Sequence, residues 1–320
     1  MDSEYDLYRH HKLTKKKEFY VGKGLTGLIN VGNTCFLNSI IQCLSHTLKL
    51  TDYFLGKEFN DDDPEHIFHK KPEYQIVKSY ICLLTKMWEN NQVIKPKSFI
   101  ENTSKHILKY SELSQQDSHE CILYLLNLLH KGISYEIEVD IKGAVLTDTD
   151  NYMEKSMKQW ATYYQKEYSS ISKFFDGMVL NEITCNNCKN TEHLFEPFKT
   201  LSISANIPTL VESLKNQCNS EIISTWKCGK CNKNGCTTVS SDWNLPNYLI
   251  VHLKRFNNSG DKISNFIDFP ITSLDMTPYI NSKKRDPNNY IYDLYAVNYH
   301  SGDSNSGHYW SICKNLDGNW

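Results

Sequence analysis

The stretch Gly27-Leu28-Ile29-Asn30-Val31-Gly32-Asn33-Thr34-Cys35-Phe36-Leu37-Asn38-Ser39-Ile40-Ile41-Gln42-Cys43-Leu44 decides how the rest of the chain is read. Apolar residues at Leu37, Ile40, Ile41, Leu44 and Leu48 recur every three or four positions, which predicts a helix with one apolar face from about Cys35 to Leu48. Asn33 and Thr34 stand where an N-cap belongs. Cys35 then falls in the first turn, where unpaired backbone N–H groups and the positive end of the helix dipole favour an anion. A thiolate is such an anion, and a cysteine becomes a nucleophile where its thiolate is favoured. Gly27 and Gly32 loosen the backbone ahead of it, and the Asn30 amide is able to donate to a developing oxyanion. A solitary cysteine on an apolar helix is more often a small core residue. Partners elsewhere in the chain must therefore decide between the two.

The chain has room for them. Its 320 residues, 40% hydrophobic and 12% aromatic, suffice for one large or two moderate domains around a sizeable core. Lys plus Arg number 35 against 37 for Asp plus Glu, and a formal charge of −2 asks for neither nucleic acid nor a membrane surface. No apolar run approaches the ~20 residues of a bilayer span. The opening Met1-Asp2-Ser3-Glu4-Tyr5-Asp6 is polar and acidic rather than leader-like. Of the eleven cysteines, Cys35, Cys43, Cys82, Cys121, Cys218 and Cys313 stand outside any spaced framework, which reads as reduced thiols. A monomeric, intracellular, cytoplasmic protein is expected, with the nucleus left open. No internal repeat is present at solenoid or propeller periods.

Residues 1–23 are polar, with His10-His11 and Lys15-Lys16-Lys17, and are expected to form a mobile arm. Asp61-Asp62-Asp63-Pro64-Glu65 marks a loop, and His66 and His69 beyond it lack the helical pattern or neighbouring cysteine of a metal site. Ile76, Val77, Tyr80, Ile81, Leu84 and Trp88 give a second amphipathic helix, and a third starts after Pro96, so the first lobe is mainly helical. Ser114 to Glu120 leads into a helix through Cys121, Ile122, Leu125, Leu126 and Leu129, with Asp117 and Glu120 spaced as a capping box. Two charge-rich helical candidates follow between 131 and 172.

Cys185-x-x-Cys188 and Cys228-x-x-Cys231 then repeat one spacing, and two such turns on separate hairpins are what a tetrahedral Zn²⁺ needs. Leu201-Ser202-Ile203 reads as a strand and Val211 to Leu214 as a short helix between them, with Cys236 and His193 as bystanders. Leu249 to Phe256 is apolar enough to predict a central strand carrying a hydrogen-bonded His252. Tyr292 to His300 alternates as a strand, Ser301 to Gly307 is a loop expected to be mobile, and His308 opens the next strand. A general base needs that kind of edge position, with access to nucleophile and substrate.

Several of these segments resemble one family. Gly27-Leu28-x-Asn30-x-Gly32-Asn33-Thr34-Cys35-Phe36-x-Asn38-Ser39-x-x-Gln42 resembles the cysteine box of the ubiquitin-specific proteases, which are papain-like deubiquitinases. Gln115-Gln116-Asp117-x-x-Glu120 is similar to their Gln/Asp box, Leu245-Pro246-x-x-Leu249-x-x-x-Leu253-Lys254-Arg255-Phe256 to a strand of theirs, and Gly307-His308-Tyr309 to their histidine box. The resemblance runs from about residue 24 to 320. It implies an α+β, papain-like catalytic domain with a helical lobe, a β lobe and zinc-tipped β fingers at about 174–245. Cys35 is then the nucleophile, Asn30 an oxyanion donor and His308 the base. Gln115, Gln116, Asp117 and His300 lie along the substrate's tail, and Cys185, Cys188, Cys228 and Cys231 hold a structural zinc. The implied reaction cleaves the peptide or isopeptide bond after the C-terminal glycine of ubiquitin, with ubiquitin and ubiquitinated proteins as partners.

A cysteine–histidine pair usually needs a third group to hold the ring. In the family an Asp or Asn does this from the strand after the histidine. Asn315-Leu316-Asp317-Gly318 reads as a hairpin turn, which puts Asp317 at the far end and the expected orienter past Trp320. Either the sequence stops short of that strand, or the protein works without the orienter and is weak by up to ~10⁴ in rate; a C-terminally extended form should then be faster. Two rival classes share these residues: an inactive ubiquitin-binding pseudo-protease, and a peptidase for a ubiquitin-like modifier.

Overall fold

The run that opens at Cys35 folds as helix α1 (Cys35–Ser45), buried on almost every side rather than along one stripe. It stops short of the expected end. At His46 the chain turns, with His46 N–H donating to Gln42 O at 3.1 Å and Thr47 Oγ1 donating to Cys43 O at 3.1 Å, and Leu48 begins a new helix, α2 (Leu48–Leu55). In this computed structural model, residues 20–56, 59, 67–89, 91–106, 114–257, 259–284, 290–303 and 306–320 are described. The acidic loop at 61–65 and His66 lie outside them.

Contacts divide the chain into two units, Met1–Ile133 with Tyr295–Trp320, and Ser134–Leu294. In the first unit α1 and α2 are followed by α3 (Tyr74–Glu89), α4 (Lys97–His106) and α5 (Ser118–Ile133). Helix α3 packs on α2, α4 and α5, and α5 packs on α1. Trp88 at the end of α3 donates from Nε1 to Ser45 Oγ at 3.0 Å, and its ring meets Tyr20 edge-on at 5.0 Å. Tyr20 is itself buried and donates to Asp52 Oδ1 at 3.3 Å. The arm expected through residue 23 is therefore anchored by residue 20, while residues 1–19 lie outside the described set. An aromatic ring that finds an apolar seat outweighs the polar composition around it.

In the second unit, the two helices expected between 131 and 172 are α6 (Asp148–Tyr164) and α7 (Ser170–Phe175). Thr147 and Asp150 form a full capping box on α6, and Ser169 Oγ caps α7 by accepting from the Ile171 and Ser172 N–H groups. Strands β1 (Gly177–Cys185) and β2 (Thr191–Phe198) form one hairpin. After β3 (Thr200–Ser204) and α8 (Leu210–Gln217), β4 (Glu221–Lys227) and β5 (Asn234–Asn244) form another. The hairpins join as an antiparallel sheet in the order β2-β1-β5-β4. Tyr152, Met153 and Trp160 of α6 cover Met178, Leu180, Phe195 and Trp243 on one of its faces.

Strand β6 (Ile250–Lys254) departs from the expected central strand: among the described residues it pairs only with β3, in parallel, and its side chains are half-buried. Its apolar residues Val251 and Leu253, with Leu249 just before it, pack on a cluster of Leu201, Ile203, Leu210, Leu214, Leu245 and Met276, so helix and loop residues supply the cover that flanking strands would have given. His252 Nδ1 is hydrogen-bonded to Ser202 Oγ at 3.1 Å, as expected. The short β7 (Leu274–Asp275) and β8 (Ile291–Tyr292) pair beside it.

The chain then returns to the first unit as the hairpin β9 (Ala296–Gly302) and β10 (Gly307–Cys313), which packs on α1. Tyr295 ties its base, sharing a hydrogen bond with Thr47 Oγ1 at 2.7 Å. Of the 301–307 loop, Ser304 and Asn305 lie outside the described residues; the flanking Asp303 and Ser306 close a turn through Asp303 N–H to Ser306 O and Ser306 N–H to Asp303 Oδ1, both 2.9 Å. No described helix is long and apolar enough to cross a membrane.

Candidate active site and metal centre

Cys35 is the first residue of α1 and is buried. The turn before it is folded on itself. Gly32 and Asn33 take positive φ angles of 98° and 52°, which glycine and asparagine tolerate best, so Asn33 makes the turn and Thr34 stands at the N-cap. Thr34 makes no side-chain cap. Its Oγ1 accepts from Val31 N–H at 3.1 Å and donates to Asn30 Oδ1 at 3.1 Å, while its own N–H donates to the same oxygen at 2.9 Å. With Oδ1 taken twice, the exposed end of Asn30 is its amide donor. One turn into the helix, Asn38 Nδ2 holds the loop by donating to Ile29 O at 3.2 Å.

On β10, side chains alternate. Tyr309 and Cys313 turn toward α1. Burial raises the Tyr309 phenol, the Asp117 charge adds to the rise, hydrogen bonding to Ser118 opposes it, and the Cys35 charge adds a further push. Tyr309 thus stands within electrostatic reach of the cysteine and of the loop before α5. His308 shares the other face with Trp310, their rings 6.2 Å apart, and is exposed. Among the described residues it has no hydrogen-bond or ion-pair partner, and Cys35 is not bonded to it. Catalytic hydrogen bonds are often loose before substrate arrives, so the geometry brings the two elements together while leaving the ring unengaged. Asp317 accepts from Asn315 Nδ2 at 3.4 Å within the 315–319 turn, as expected.

The loop before α5 carries the Gln/Asp run. Asp117 caps the helix, Oδ1 accepting from His119 N–H at 2.6 Å and Glu120 N–H at 3.3 Å, and among the described residues its other oxygen accepts no hydrogen bond. Gln116 Nε2 donates to Ser114 Oγ at 2.5 Å. Gln115 uses both ends of its amide on Gly307, donating from Nε2 to Gly307 O at 2.8 Å and accepting Gly307 N–H on Oε1 at 3.0 Å. His300 faces Tyr309 across the hairpin with ring centroids 4.4 Å apart, and its Nε2 crowds the place where a Cβ on residue 307 would sit. Only glycine fits there.

A further cluster had no signal in the sequence. Cys43 on α1 and Cys313 on β10 share a hydrogen bond that raises Cys43 well above a normal thiol and draws Cys313 down to about 5, helped by His46. Burial lowers the His46 imidazole, but the Cys313 hydrogen bond and charge outweigh it and leave it raised. Two thiols read as solitary thus bind the far end of α1 to β10.

The four knuckle cysteines meet at the ends of the two hairpins, their sulfurs all within 4.8 Å of one another, with Cys185 to Cys231 and Cys188 to Cys228 both at 3.7 Å. A metal with four thiolates at about 2.3 Å sets tetrahedral S···S edges of about 3.8 Å, so the donor set fits. The knuckles are near copies. Lys189 and Asn232, each just past its second cysteine, have φ of 59° and 56° and donate N–H to Cys185 O and Cys228 O at 3.1 and 2.9 Å. Cys236 and His193 stand outside the set.

A family profile described as Ubiquitin carboxyl-terminal hydrolase matches residues 26–320. The chain belongs to that family. Within it, the chain is 30% identical over 314 residues to Ubiquitin carboxyl-terminal hydrolase 2 of Bos taurus, covering 93% of this chain and 51% of that protein. It is 32% identical over 306 residues to Ubiquitin carboxyl-terminal hydrolase Usp2 of Drosophila melanogaster, covering 91% and 31%. Among solved structures it is similar to the SAGA Ubp8/Sgf11/Sus1/Sgf73 DUB module bound to ubiquitin aldehyde, with TM-score 0.68, 25% identity and coverage of 92% of this chain and 63% of that one. The same module bound to monoubiquitin gives TM-score 0.68 at 24% identity, covering 92% and 62%. The chain spans about half the length of the mammalian hydrolase 2 proteins it matches. The resemblance to ubiquitin-specific proteases and the α+β, papain-like fold are thereby borne out.

Proposed function

We propose that the chain is the catalytic domain of a thiol-dependent deubiquitinase, hydrolysing the peptide or isopeptide bond after the C-terminal glycine of ubiquitin. Cys35 thiolate attacks the carbonyl carbon, and Asn30 Nδ2 with first-turn N–H groups of α1 receives the oxyanion. His308, turned toward Cys35, gives its proton to the leaving amine as the thioester forms. It then takes a proton from water, whose attack releases the ubiquitin carboxylate and restores the thiolate. Asp117, through its other oxygen, with Gln116 and His300, lines the substrate's tail. Cys185, Cys188, Cys228 and Cys231 hold one Zn²⁺, which when bound pins the two hairpin tips together and takes no part in the reaction. The protein acts as a monomer on ubiquitinated proteins inside the cell, and its eleven free cysteines support a reducing compartment.

The observation that carries this reading is the docking of α1, with Cys35 in its first turn, against the strand that carries His308. The related module bound to ubiquitin aldehyde supports it, since an aldehyde captures a nucleophile at the cleaved carbonyl. Incubation with ubiquitin carrying a C-terminal electrophile, followed by intact mass spectrometry, tests it. We expect one ubiquitin adduct on the wild type, none on Cys35→Ala and slowed labelling of His308→Ala. An adduct that survives Cys35→Ala overturns the assignment of the nucleophile. Ubiquitin binding without any adduct would leave a ubiquitin-binding module in its place.

A further inference from the structure

Gly307 immediately precedes His308, and two groups of one loop meet the strand on either side of that histidine. On one side the Gln115 amide forms a two-bond clasp on the Gly307 peptide, at 2.8 and 3.0 Å. On the other, the Tyr309 phenol lies beside Ser118. The clasp joins residues 192 positions apart, so it is a tertiary choice and no product of local turn geometry. The His300 ring occupies the space above Gly307 and bars any side chain there. The backbone beside His308 is held by the Gln115 clasp and the His300 ring, while its own ring meets Trp310 and has no hydrogen-bond partner among the described residues.

We propose that Gln115 is a positioning residue for His308 rather than a contact for the substrate's tail: its amide fixes the start of β10 and with it the point from which the imidazole approaches Cys35. The inference rests on the deubiquitinase reading above. A tail-binding Gln115 would have to release both Gly307 bonds first. A clasp left intact instead transmits the position of the 115–118 loop, where Asp117 lies, directly to the base.

Gln115→Met keeps the length and bulk of the side chain and removes both bonds; Gln115→Ala, as the second variant, removes the chain altogether. The readouts are kcat and KM on a fluorogenic ubiquitin substrate, normalised to active sites titrated with the ubiquitin electrophile, and the rate of Cys35 alkylation by iodoacetamide at pH 7. Misplacing a catalytic group by about 1 Å costs about 10²-fold, so kcat is expected to fall roughly 10- to 100-fold with KM held within about 3-fold. Cys35 alkylation should slow by roughly 5-fold or more, a change that mere loss of folded protein would not produce, because the rate constant is per active molecule. A rise in KM with kcat and alkylation at wild-type values would overturn the proposal and return Gln115 to the tail. Wild-type values throughout would overturn it as well. Should the wild type fail to process ubiquitin, the deubiquitinase reading falls instead, and the alkylation rates alone decide whether Gln115 supports His308.

Discussion

Asn30 has two functional ends, and the fold uses one of them. Its Oδ1 holds Thr34 by two hydrogen bonds, at 2.9 and 3.1 Å, and so aims the remaining amide donor. Asn30→Ala would remove the turn together with the donor, whereas Asn30→Asp keeps the acceptor and removes only the NH₂ group. We expect Asn30→Asp to lower kcat by about 10²–10³, the usual cost of one oxyanion donor, with KM nearly unchanged. Equal losses in the Ala and Asp variants of a turn that has melted, seen by near-ultraviolet circular dichroism, would point to structure instead. Asp242 illustrates the opposite case, a polar group that the fold tolerates at a cost. Burial raises its carboxyl to about 6, and no hydrogen bond reaches it among the described residues. Below about pH 4 the carboxyl is neutral in both states and costs nothing. As pH climbs from about 4 to 6, the unfolded chain gives up the proton that the folded chain keeps, so stability falls, and above about 6 the full penalty remains. Asp242→Asn should therefore be more stable than the wild type at pH 7 by about 2–3 kcal/mol, and the gap should close by pH 4 in urea titrations.

At the scale of elements, the paired knuckles show what a short motif can disclose. Each Cys-x-x-Cys turn is specified by a few neighbouring residues, so its spacing survives in the sequence. Removing the proposed zinc should loosen the tips first. With a strong chelator, or in Cys188→Ser, hydrogen exchange at 185–190 and 228–235 is expected to rise while α1 and β10 stay protected. Protection lost equally in both units would mean that the metal supports more than the sheet. Helix α1 was only half legible. Its position followed from the spacing of Leu37, Ile40, Ile41 and Leu44, but that spacing is silent on Asn38, Ser39 and Ser45. All three are buried, satisfied in part by local partners: Asn38 Nδ2 donates to Ile29 O, Ser39 Oγ to Phe36 O, and Ser45 Oγ accepts from Trp88 Nε1. Small polar residues that bond to nearby backbone or to one ring are invisible to a periodicity argument. The clasp of Gln115 on Gly307 and the Cys43, Cys313 and His46 cluster were beyond reach for another reason, since their partners are brought together only by the packing of β10 on α1.

Across the whole molecule, the first unit is discontinuous: Met1–Ile133 is completed by Tyr295–Trp320, with Ser134–Leu294 between them in the chain. That order has a consequence for how the protein is made. A ribosome that has finished α1 must translate the rest of the helical segment and the entire second unit before the strand bearing His308 exists, a delay of roughly 13–53 s at common elongation rates. During that interval the face of α1 that will meet β10 has no strand to pack on, and Cys35 has neither Gly307 nor Tyr309 within reach. The nascent chain therefore carries the proposed nucleophile without its proposed base, and the two are brought together only once residues 296–313 emerge.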